Sequence, residues 1–85
     1  MNKDRRDRLA EVGNIIDDAM TEIQDIVDEE QDAFDGLPDS FQDSERGALM
    51  ESAIGDMEDL IMTLDNFISE LNKVVETYSP KKKKQ

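Results

Sequence analysis

Aspartate and glutamate make up 22 of the 85 residues, and clustered carboxylates are the one side-chain set here that could bind a cation or move a proton. Asp28, Glu30, Asp32 and Asp35-Gly36 open like a calcium loop, which presents oxygen ligands at alternate positions. The spacing then fails. Ala33 stands where the turn glycine belongs, and no glutamate closes the loop at its twelfth position. A solvated acidic helix end accounts for the same residues. A di-iron bundle needs Glu-x-x-His pairs, and the chain has no histidine. The missing histidine also removes the usual neutral-pH base, and the missing cysteine removes thiol chemistry, disulfides and zinc knuckles. Two carboxylates doing acid–base work need an apolar pocket that splits their pKa values, and a narrow bundle of Ile, Leu, Met and Val offers no cleft for one. We therefore expect no catalytic, cofactor-binding or metal-binding residue, and no enzyme.

The elements that carry these acids are helical. With Leu9 as heptad position a, the first segment places Leu9, Ile16, Ile23 and Glu30 at a. Val12, Ala19, Ile26 and Ala33 fall at d, and Met20, Val27 and Phe34 at e. The second segment places Met50, Met57, Leu64, Leu71 and Tyr78 at a. Ala53, Leu60, Phe67 and Val74 take d, and Ile54, Ile61, Ile68 and Val75 take e. Strand alternation fails, because acids recur in pairs such as Asp17-Asp18 and Glu29-Glu30. Between the segments, Asp35-Gly36-Leu37-Pro38-Asp39-Ser40 is the strong breaker. Gly36 suits a left-handed helix end, Ser44 or Asp43 an N-cap, and Pro80 a stop. Leu37 and Phe41 should be buried under the connection, and Met20, Met50 and Met57 in the core, with Met62 on the surface. Glu30, polar at an a position, should snorkel to water near the turn.

The expected fold class is all-α: a two-helix antiparallel hairpin that dimerises into a four-helix bundle. Residues 1–8 form a basic N-terminal segment and 9–78 the hairpin. Helix one runs over about 4–34, the connection over 35–43 and helix two over about 44–78. Residues 79–85 form a lysine-rich disordered tail. An a/d/e stripe is wider than a coiled-coil seam and suits a bundle helix. Two helices alone should leave the e edge, Ile54, Ile61, Ile68 and Val75, for a second copy or another protein to cover. No apolar leader and no bilayer-length apolar window occur, so a complete, soluble intracellular chain with no membrane contact is expected.

Charge narrows the partner. The formal net charge is −12, but it is uneven. Lys3, Arg5, Arg6 and Arg8 make the start basic, Lys81 to Lys84 make the end basic, and Leu9 to Asp35 hold acids with no base. This excludes direct nucleic-acid binding by the helical body and leaves a protein partner. Asp17, Asp18, Glu22, Asp25, Asp28, Glu29 and Asp32 are the candidate partner-binding acids. B-DNA carries about one charge per 1.7 Å of axis, a linear density of the same order as on this rod. The sharper reading is thus a DNA mimic that occupies the groove of a DNA-binding or defence protein. Acidity for solubility alone explains the same composition. The alternative function is an assembly accessory protein that docks through its apolar edge.

The run Leu37-Pro38-Asp39-Ser40-Phe41-Gln42-Asp43-Ser44-Glu45-Arg46-Gly47, between two acidic helices, resembles the Leu-Pro-x-Ser-x-Gln-x-Ser-Glu-Arg-Gly connection of a group of small bacteriophage and prophage proteins. The likeness spans roughly residues 20–70. It implies a viral origin, a bacterial host cytoplasm as the location, and a host or phage protein as partner. It implies no activity, because the group is uncharacterised. Phe34-Asp35-Gly36 also resembles, more loosely, the Trp-x-Gly turn of small secreted helical hairpins, but the Trp is absent. Within the connection Gly36, Pro38, Ser44 and Arg46 are the candidate structural residues. Arg46, a lone base among Asp32, Asp35, Asp39, Asp43 and Glu45, should pin the connection through an ion pair.

Overall fold

The computed structural model describes residues 1–78, so the tail expected over 79–85 lies outside the described residues. The described chain is all-α. Helix α1 spans Lys3–Asp35, α2 is a single turn at Asp39–Gln42, and α3 spans Glu45–Thr77. The long helices have 33 residues each, about 50 Å at 1.5 Å per residue. They pack side by side and antiparallel, which makes a slab of 63 × 21 × 14 Å, one helix layer thick.

Each boundary has a local cause. Asn2 caps α1, its side-chain oxygen accepting from the Arg5 N–H at 2.9 Å. At the other end Gly36 is right-handed, φ −80 and ψ −9, not left-handed as the sequence predicts. Its N–H donates to the Asp32 carbonyl at 3.0 Å, so the helical spiral simply continues through it. The Leu37 N–H then closes a tighter turn on Phe34, and Pro38, extended at ψ 151, ends the spiral. Ser44 caps α3: its hydroxyl accepts from the Gly47 N–H at 3.3 Å and donates to the Phe41 carbonyl.

The connection is held by a residue that composition does not flag. The Gln42 amide donates to the carbonyls of Phe34 and Leu37, both at 3.1 Å, and so satisfies the open end of α1. Arg46 is exposed and makes no ion pair among the described residues, contrary to expectation. Its side chain has water to solvate it, and the backbone is already tied down by Gln42 and Ser44. Leu37 is half-buried, but Phe41 is 55% exposed and does not fill a core. Gly47 is buried because the first turn of α3 lies against the carbonyls of Phe41 and Gln42.

Among the described residues the buried apolar side chains are Val27, Ile54 and Leu71, each still 4–7% exposed. Half-buried around them lie Leu9, Ile16, Met20, Ile23 and Phe34 from α1, and Met50, Met57, Ile61, Leu64, Ile68 and Val75 from α3. These are positions a and e of both helices. Glu30 shares the stripe and is half-buried near the turn, while Met62 is exposed.

The glycines give a paired prediction. A Cβ on Gly47 would collide with the Gln42 backbone, whereas one on Gly55 meets nothing within 4 Å. Gly47→Ala should lower urea-unfolding stability by about 2 kcal/mol through the forced shift. Gly55→Ala should raise it by about 1 kcal/mol through helix propensity.

Candidate functional site

Two helices share one seam, so the stripe left out of it is the surface of interest. In the sequence reading that stripe is e, with Ile54, Ile61, Ile68 and Val75 awaiting a partner. The structure turns these four inward. Ile54 is 7% exposed and the other three are half-buried in the intrachain seam against α1. The stripe left open is d. Leu60 is 52% exposed, Phe67 47% and Ile26 42%, and Val12 and Val74 are open to a similar degree.

The register explains why both d stripes form one face. A Cβ on Gly13 would lie 3.3 Å from the Leu71 side chain, so these residues face each other across the seam. Counting outward at 1.5 Å per residue puts Ile16 at the level of Ile68, Ile23 at that of Ile61 and Phe34 at that of Met50. Antiparallel helices are related by a rough twofold axis perpendicular to the plane that holds them. Equal heptad positions therefore fall on the same side. One surface hollow combines Leu9 with Phe67, Leu71 and Val74, the d side. Another combines Gln31 with Glu51 and Glu58, all at b, on the reverse side. Ile15 and Leu49, at the neighbouring g position and 58% and 67% exposed, extend the d side. The slab thus has an apolar front and a polar back.

The candidate acids do not gather into one patch. Asp18, Asp25 and Asp32 occupy position c with Glu11, a row down the outer edge of α1 spaced about two turns apart. Asp28 lies beside that row, Glu22 and Glu29 border the apolar front, and Asp17 faces the back. All seven are exposed. Asp28 accepts a hydrogen bond from Gln24, and none of the seven is in an ion pair among the described residues. The ion pairs present are Lys3–Asp7, Arg8–Asp4 and Lys73–Glu70, each local to its helix and solvent-exposed, a class that adds little stability. The acidic surface is therefore uncompensated within the described chain. No three carboxylates converge to hold a metal ion among the described residues. No helix of the described residues is long and apolar enough to cross a membrane.

Comparison with protein-family models, curated proteins and solved structures returns no match for this chain.

The assignment of the seam is open to direct test. Ile54→Asp buries a charge between the helices and should cost about 3 kcal/mol or more, with loss of helical circular dichroism. Leu60→Asp, one stripe away, should leave the helical signal of the dilute chain intact.

Proposed function

We propose that this is a small, non-enzymatic bacteriophage protein that pairs through its apolar front into a four-helix bundle and presents acidic outer surfaces to a basic protein partner. The carrying observation is the segregation of the surface. Val12, Ile15, Ile26, Leu49, Leu60, Phe67 and Val74 lie exposed on one side of a slab 14 Å thick, and the acidic row of α1 lies beside it. An apolar face of this extent marks an association surface. The stripe from Val12 to Ala33 runs about 32 Å at 1.5 Å per residue on a slab 21 Å wide. That footprint of about 650 Å² approaches the roughly 800 Å² each partner contributes to a standard interface. Covering it with a second copy gives every helix two neighbours and the wide stripe of a bundle helix. Acids then dominate the charge that the assembly shows along its shaft. The partner that fits is a protein with a cationic groove, such as a host DNA-binding or defence protein, met in the cytoplasm of the bacterial host. The connection from Leu37 to Gly47 supports the viral origin through its resemblance.

The apolar front also favours a second reading, an assembly accessory protein whose front docks on a different protein. The two readings use different residues. Sedimentation of the full chain should give a dimer, and Phe67→Ser should give a folded monomer. Retention of duplex-DNA-binding proteins on the immobilised chain should fall steeply as salt rises. It should also be lost in Asp18→Lys/Asp25→Lys/Asp32→Lys. Retention that ignores salt and these changes but is lost with Phe67→Ser would instead establish the assembly reading.

A further inference from the structure

We infer that the two copies pair head to tail, with the basic amino end of each hairpin lying over the acidic turn of the other. This inference rests on the pairing proposed above and deepens it by fixing the partner's orientation. A symmetric face-to-face pair of hairpins has two arrangements. With the turns at the same end, α1 lies across from the partner's α3. With the turns at opposite ends, α1 lies across from a second α1, and α3 across from a second α3.

Side-chain volume separates the two. With turns together, positions at one level meet. Val12 opposes Val74, Ala19 opposes Phe67, Ile26 opposes Leu60, and at the turn Ala33 opposes Ala53. That leaves the turn end thin and a gap between the layers, which close packing disfavours. With turns apart, the d stripes reverse on themselves about their midpoints. Val12 then opposes Ala33, Ala19 opposes Ile26, and Ala53 opposes Val74, a large residue against a small one each time. Leu60 opposes Phe67 at the centre. Alternation of this kind lets layers interdigitate along the whole face.

Charge points the same way. The open end of the hairpin carries Lys3, Arg5, Arg6 and Arg8 against Asp4, Asp7 and Glu76, and Arg5 and Arg6 have no carboxylate partner among the described residues. The turn end carries Asp32, Asp35, Asp39, Asp43 and Glu45 against a single base, Arg46. The last turn of α1 has no base to offset these acids or the negative end of the helix dipole. Turns together would stack acid on acid, a juxtaposition that disfavours the complex. Turns apart bring each basic end to the acid it lacks.

The chain has no cysteine, so introduced thiols report without background. Full-length chains carrying Val12→Cys are mixed with chains carrying either Ala33→Cys or Val74→Cys and treated with a short bis-maleimide. The expected result is a covalent heterodimer several-fold more abundant with Ala33→Cys than with Val74→Cys. Preferential crosslinking to Val74→Cys overturns the head-to-tail arrangement and leaves pairing standing. No crosslink in either mixture, with monomer by sedimentation, overturns the pairing and the arrangement together. Adding Arg5→Glu and Arg8→Glu to the Val12→Cys chain should reduce the Ala33→Cys product several-fold. An unchanged yield would remove charge from the explanation of orientation.

Discussion

A helix that touches one neighbour has one seam, and a seam admits a stripe about two heptad positions wide. Both long helices carry apolar residues at three positions in seven. Whatever the register, one stripe must stay outside, and the rest of the molecule follows from which one. Position a is common to both choices, so the contest is between d and e. On α1, e offers Met20, Val27 and Phe34, while two of the four d residues are alanine. On α3, e is a run of β-branched residues, Ile54, Ile61, Ile68 and Val75. Turning a and e inward removes more apolar area from water, and Gly13 makes room for Leu71 at the one place where e is small. The buried residues Val27, Ile54 and Leu71 all belong to this choice.

That choice separates the surface chemistry. The d stripes emerge side by side, because antiparallel helices present equal heptad positions on the same side. Apart from Glu30, half-buried in the seam stripe near the turn, the acids are left exposed on the outer edge, the rim and the back, mostly unpaired among the described residues. Such a body repels itself, and repulsion between like surfaces keeps acidic backs apart while leaving the apolar fronts free to meet. The proposed pairing uses this separation: apolar contact supplies the attraction, and the uneven ends select the orientation. In that account the charge on the shaft serves recognition of a partner, and the charge at the ends serves recognition of a second copy.

Helix content and the breaker were legible because periodicity and Pro38 are strong local signals. The Ser44 cap was legible for the same reason. The identity of the seam was not, because a/d and a/e spacings both alternate three and four residues, and either makes a regular ridge. Only comparison of side-chain volumes across both helices could have separated them. Gly36 misled because glycine permits a left-handed cap without requiring one, and here Pro38 already ends the spiral. Arg46 misled because opposite charge suggests a partner, yet water solvates an exposed guanidinium at little cost. The Gln42 bonds to Phe34 and Leu37 were invisible, since a side-chain amide carries no pattern in sequence. The open face could be foreseen as a necessity, but not its residues.

The seven isoleucines divide between the two surfaces. Ile54 is buried and Ile16, Ile23, Ile61 and Ile68 half-buried in the seam, whereas Ile15 and Ile26 lie on the open front. Methyl NMR of the full chain with a soluble paramagnetic agent reads all seven at once. In dilute solution the account predicts strong broadening of Ile15 and Ile26 and protection of Ile54, Ile61 and Ile68. Raising the protein concentration should then protect Ile15 and Ile26 as well. Broadening of Ile54, Ile61 and Ile68 in the dilute chain, with Ile15 and Ile26 protected, would contradict it.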